Sequence, residues 1–237
     1  MAEIEIGSIA IQLNRKAIKN LHISVLPPDG RVRVSAPASM TDTAVRIAVI
    51  NRIPWIKKQQ SDFAKQPRQS DREMVSGETH FLWGKSYRLD VIERTGKHQV
   101  IVKGKRLLLY INPNTSLENK VLVLNEFYRG VLKTRIAELL DFWQDVMQVQ
   151  VTQWGVKRMK TKWGSCNISA RRILLNLELV KKPPECLEYI LVHELVHLFE
   201  RRHNDRFKTY MDRFIPDWRE RRDLLNNMPL AHNHWVY

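Results

Sequence analysis

Apolar and polar side chains alternate from the start of the chain. Ile4 and Ile6, then Ile9, Ile11 and Leu13, recur at every second position, the period of a half-buried strand. Ile23 and Val25 face Val32 and Val34 across Pro27-Pro28-Asp29-Gly30, whose proline and glycine punctuation predicts a hairpin. Between Thr41 and Gln66 the period switches to that of a helix, through Val45, Ile47, Val49, Ile50, Ile53 and Ile56, with Pro54 expected to break or kink it. One kinked helix and two short ones are equally compatible with that pattern.

Residues 66–78, QPRQSDREMVSGE, are polar and carry proline and glycine, so they read as a linker or an exposed loop. The boundary drawn there separates a β-rich N-terminal subdomain with helices, residues 1–70, from a second domain over residues 71–237. Phe81 to Val91 and Gln99 to Ile111 alternate like further antiparallel strands. A long helix is predicted from Glu118 to Met147, opened by a capping box of Thr115 and Glu118 and carrying a stripe from Val121 through Tyr128, Leu132 and Ile136 to Trp143. Val149 and Val151, then Lys157 to Cys166, then Ile173, Leu175 and Leu177 read as strands, with a polar turn at residues 167–172. Pro183-Pro184-Glu185 opens one more helix, since proline suits the first turn and an acid there suits the helix dipole.

That last helix holds the chemistry. Within CLEYILVHELVHLFERRHNDRF, His193, Glu194 and His197 form H-E-x-x-H. Residues four apart on a helix are offset by only about 40°, so the two imidazoles project together and can converge on one ion. Glu194 stands about 100° round from His193, beside the ligands but not among them, where a carboxylate can act as general base toward a metal-activated water. A catalytic zinc wants three protein ligands and an open position, and His203 is the preferred third. On an unbroken helix His203 would point about 240° away from His197, so the reading requires a bend near Arg201 and Arg202. Asn204 and Asp205 supply one as caps of a following helix that carries Phe207, Tyr210, Met211 and Phe214. Glu200 shares the face of His193 and His197 and competes for the same role. His22, His80, His98, His232 and His234 have no companion at ligand spacing, and Cys166 and Cys186 have neither a paired cysteine nor an adjacent histidine.

Composition narrows the setting. The chain has 237 residues, 43% of them hydrophobic, enough for a core without staples, and two cysteines without C-x-x-C spacing fit a reducing, cytoplasmic compartment. Neither an export signal nor an apolar run of membrane-spanning length is legible, so no membrane partner is expected. A net charge of +14 favours polyanions and admits nucleic acid as a partner.

The motifs together resemble the YgjP-like metallopeptidase family, with a more distant likeness to the WLM and SprT-like zinc proteases. Lys162-Trp163-Gly164-Ser165-Cys166 resembles that family's R-W-G-S-C, Leu175-Asn176 its L-N, His193 to Leu198 its H-E-L-x-H-L and His203 its third histidine. Phe81 to Tyr87 resembles its glycine-containing strand. The resemblance implies an α+β fold: a β-rich N-terminal part plus a zincin-like metallopeptidase domain with the active-site helix packed on a small sheet. It also implies Zn2+ on His193, His197 and His203, with Glu194 as catalyst. Lys162 departs from the usual arginine and Asn204 from the usual serine, and the Trp163 to Cys166 segment is given no catalytic role. The substrate is expected to be a peptide or protein lying along an exposed strand such as Ile173 to Leu177. A nucleoside triphosphate held by Lys157, Arg158, Lys160, Lys162, Arg201 and Arg202, or a protease recruited to nucleic acid, are the alternatives.

Overall fold

The computed structural model describes residues 2–26, 30–65, 73–159 and 162–227, and its contacts divide the described residues into two compact units, one within Met1–Ser70 and one within Asp71–Met228. In the first unit, strands β1 (Ala2–Ile6), β2 (Ile9–Lys16), β3 (His22–Leu26) and β4 (Arg31–Pro37) form a sheet in the order β1-β2-β4-β3. β3 meets β4 antiparallel with Ile23 opposite Val34 and Val25 opposite Val32, the predicted pairing. Of the four residues predicted to make its turn, 27–29 lie outside the described residues, and the amide of the fourth, Gly30, donates to the Leu26 carbonyl at 2.9 Å.

Helices α1 (Asp42–Ile50) and α2 (Ile53–Lys65) cover this sheet, burying Val45, Val49 and Ile56 against Ile11, Val32 and Val34. The helical stretch is therefore two helices. Pro54 does not kink either: it sits in the first turn of α2, where its missing N–H removes no intrahelical bond, and the break falls just before it at Asn51 and Arg52.

The second unit is built on a four-stranded sheet, β5 (Thr79–Leu82), β6 (Lys85–Glu93), β7 (Gln99–Lys103) and β8 (Arg106–Ile111), ordered β5-β6-β8-β7. Helix α3 (Leu117–Met147) buries Leu124, Tyr128, Leu132, Ile136, Leu139, Leu140 and Trp143, the predicted stripe. Its cap is Ser116, not Thr115: the Ser116 hydroxyl accepts from the Asn119 amide at 3.3 Å, while the Thr115 hydroxyl donates to the Asn112 carbonyl.

The third sheet departs most from the sequence reading. Its strands are β9 (Gln153–Lys157), β10 (Gly164–Asn167) and β11 (Arg172–Asn176), in the order β10-β11-β9. Val149 and Val151 precede β9 outside any strand, Lys157 to Cys166 is not one strand, and Leu177 begins a short 3-10 helix, Leu177–Lys181. Asn176 explains the interruption. Its buried amide donates to the carbonyls of Met159 and Lys162, both at 2.8 Å, and its oxygen accepts from the Met159 and Glu178 amides. The backbone there turns to serve one side chain, and no periodicity encodes that.

Helix α4 (Pro184–Val196) follows, buried along most of its length, with Pro184 in its first turn. Its start is anchored by the β5–β6 turn, where the Trp83 amide donates to the Val180 carbonyl at 2.8 Å and a side chain on Gly84 would meet Pro183 at 2.9 Å. Glu188, in the middle of α4, accepts from the Trp143 indole at 3.1 Å and from Arg221 at 2.6 Å, tying α4 to α3 and to helix α6 (Trp218–Asn227), which the sequence reading missed. The architecture is α+β, and among the described residues no helix is long and apolar enough to cross a membrane.

Candidate metal centre

Helix α4 ends where the chemistry begins. His197 still has helical dihedrals, but the Leu198 and Phe199 amides turn back to Leu195 and Val196 at 3.0 and 2.9 Å, tightening the last turn to three-residue spacing and ending the helix. The expected bend near Arg201 and Arg202 thus starts four residues earlier. The chain then returns over its own helix to Asn204, whose oxygen accepts from the Phe207 amide at 3.0 Å and caps helix α5 (Asp205–Phe214).

This return puts His203 against the helix histidines. The Nε2 atoms of His193 and His203 lie 3.0 Å apart, and one nitrogen from each of His193, His197 and His203 falls within 4.8 Å of the others. Phe207 stands behind all three rings, with centroids 4.9, 4.9 and 4.7 Å from those of His193, His197 and His203. The sequence pattern places Phe207 only on the helix that follows Asn204 and Asp205.

Glu200 is divided between two tasks. Its carbonyl accepts from His197 Nδ1 at 3.1 Å, which leaves Nε2 of that ring as the nitrogen free to bind an ion, and its carboxylate accepts from the Arg202 amide at 3.0 Å. Three imidazoles fit a borderline cation of the zinc type. Burial, then the charges of His197 and His203, pushes the His193 pKa down to about 3, and burial lowers His197 as well, so both rings are neutral at physiological pH, as a ligand must be.

Glu194 is 6% exposed, and burial pushes its carboxyl up to about 7, against a smaller downward pull from Lys162. It lies on the opposite wall from Gly164, the first residue of β10. A side chain built on Gly164 would stand 2.5 Å from Glu194 Oε1, 2.7 Å from Cγ and 2.9 Å from Cδ. The W-G-S-C segment, given no catalytic part, is therefore the ledge against which the carboxylate rests. A glycine within a strand pattern is the signal that could have shown this, since it marks close approach of another group.

A cleft of about 830 Å3 opens between α4 and residues 162–169. Its strand wall is β10, which among the described residues pairs with β11 alone and so presents a free edge, as β9 does on the far side of the sheet. The expectation that Ile173 to Leu177 is the exposed strand is overturned: β11 is the central strand, hydrogen-bonded on both sides. Of the six basic residues assigned to phosphate, Lys162 and Arg201 line the cleft. Arg158 faces Glu178 at 3.9 Å, and Lys160 lies outside the described residues. Cys166 lines the cleft and Cys186 is fully buried, with both thiols pushed up to about 11, chiefly by burial. Among the remaining histidines, His80 contacts Glu78, His98 accepts from the Asn112 amide, His22 is exposed in the first unit, and His232 and His234 lie outside the described residues.

A Gly164→Ala substitution is expected to displace the Glu194 carboxylate by roughly 1 Å and to lower hydrolytic turnover about ten- to hundred-fold, while metal content stays unchanged. Metal analysis beside steady-state kinetics checks it; unchanged turnover would mean that Glu194 does not need that ledge.

A buried carboxylate beside three converging imidazoles, in an open cleft with a strand edge along it, is an arrangement suited to metal-dependent hydrolysis. The family model described as YgjP-like, metallopeptidase domain matches residues 19–228, and the chain belongs to that family. The match runs through both units. Among solved structures, the chain is similar to the metallopeptidase zymogen of Pyrococcus abyssi abylysin, with 22% identity over 38% of this chain and 90% of that one and a TM-score of 0.36. No curated protein matches it.

Proposed function

We propose that this protein is a zinc peptidase of the cytoplasm, with residues 71–237 as its hydrolase domain, His193, His197 and His203 as its metal ligands and Glu194 as its general base. The observation that supports this reading best is the free edge of β10 running beside the three imidazoles and Glu194. An extended peptide adding to that edge through its backbone would be held straight, its carbonyls presented toward α4 at strand spacing. A zinc ion there would supply a Lewis acid for the scissile carbonyl and lower the pKa of water. Glu194 takes the proton of the attacking water on a carboxylate oxygen and hands it to the departing amine, a task suited to a carboxyl with a pKa of about 7. The free thiols of Cys166 and Cys186 suit a reducing compartment.

Lys162 and Arg201 at the cleft support one competing reading, cleavage of a nucleoside triphosphate. The two separate in one assay. The zinc-loaded protein is expected to fragment an unfolded protein substrate, to lose that activity with a chelator and regain it with zinc, and to release no phosphate or pyrophosphate from nucleoside triphosphates. Chelator-sensitive nucleotide cleavage without proteolysis would replace the peptidase reading.

A further inference from the structure

Charge is unevenly placed along the chain. The first 70 residues hold 11 lysines and arginines against 5 acids, a net +6 of the total +14 in under a third of the length. The second unit spends many of its cations internally: Arg219 pairs with Asp212, Arg221 with Glu188 and Asp217, and Arg222 with Asp223. In the first unit Arg52 and Lys58 are exposed and, among the described residues, pair with no carboxylate. They flank Trp55 at three-residue spacing, so cation, indole and cation follow one another along one face of α2 and the turn before it.

Trp55 is 38% exposed, an unusual place for an indole in a helix that already buries Ile56. It lines a groove of about 340 Å3 with Leu21, His22, Ile23, Ala48 and Arg52, beside the edge strand β3. The floor is apolar and the rim cationic. An acidic peptide would satisfy the rim and leave the indole and floor unused. A base in a duplex keeps its faces stacked. An unpaired base can lie on the indole while its phosphates reach Arg52 and Lys58.

We propose that the groove of Trp55, Arg52 and His22 on the first unit binds single-stranded nucleic acid, with Trp55 as the stacking platform and Arg52 and Lys58 as phosphate contacts. This binding is independent of the peptidase reading and needs neither zinc nor Glu194.

The test uses the full chain and a fluorescent oligothymidylate of about 20 nucleotides, followed by anisotropy from about 50 mM salt upward. Binding is expected to weaken steeply with salt. Trp55→Ala is expected to weaken it about tenfold at unchanged salt slope, and Arg52→Glu with Lys58→Glu to reduce the slope by roughly 1.4. Reversing Lys103 and Lys105, on the second unit, is expected to change nothing. The paired charge reversal sits on exposed positions and carries the test even if the indole variant folds poorly. The proposal is overturned if the oligonucleotide does not bind at low salt, or if a duplex competes as well as the single strand. It is equally overturned if the Lys103 and Lys105 reversal weakens binding as much, or if the chain associates with anionic vesicles and ignores the oligonucleotide.

Discussion

Glu194→Gln is expected to lower turnover of a protein substrate roughly 100- to 10,000-fold with bound zinc unchanged, because glutamine keeps the shape that rests on Gly164 but cannot accept a proton. The same substitution should move stability in the opposite direction in metal-free protein. Burial raises this carboxyl from an ordinary 4.5 to about 7. Between those values the folded chain holds a proton that the unfolded chain has released, so the stability associated with Glu194 is full below about 4.5 and is lost as pH rises through 7. At pH well above 7 the cost is of order 3 kcal/mol, and glutamine, neutral throughout, does not incur it. Urea unfolding of chelator-treated wild type and variant should therefore coincide in acid and diverge in weak alkali, the variant being the more stable. A variant that keeps full turnover would remove Glu194 from the mechanism, and curves that stay parallel at all pH would show that its burial carries no charge penalty.

How much of this was legible in the sequence depends on the range of the interactions involved. Strand pairing of Ile23 with Val34 and the stripe of α3 follow from local periodicity, and the structure has both. The H-E-L-V-H spacing follows from helical geometry alone. What escaped depends on contacts between segments distant in sequence. Asn176 breaks the stretch 157–166 by reaching across to Met159 and Lys162, and Gly164 has its meaning only because α4 brings Glu194 against it. The edge of the third sheet was misassigned for the same reason: apolar Ile173 and Leu175 mark a strand, but only strand order shows that it lies between two edge strands, of which β10 lines the cleft. Helix α6 is dense in charge, and only the packed structure shows that its Arg221 reaches inward to Glu188.

His203→Ala should have the second large effect, and it separates the two candidates for the third ligand. His203 is exposed and held by the capped return of residues 198–204, so its loss should leave the metal-free fold intact. Metal affinity is expected to fall at least about 100-fold, since two imidazoles on one helix turn leave half of a tetrahedral shell open. Because an ion that binds only the folded state stabilises it by mass action, a hundred-fold weaker site forfeits roughly 2.7 kcal/mol of zinc-dependent stabilisation, and turnover should vanish at trace zinc. Glu200→Gln is expected to retain the metal, because the Glu200 carboxylate is engaged with the Arg202 amide and it is the backbone carbonyl that receives His197 Nδ1. Thermal unfolding of each variant with and without zinc reads both at once. If His203→Ala kept its zinc shift and Glu200→Gln lost it, the third ligand would be the carboxylate one turn beyond His197, and the folding back of residues 198–204 would need a purpose other than completing the metal shell.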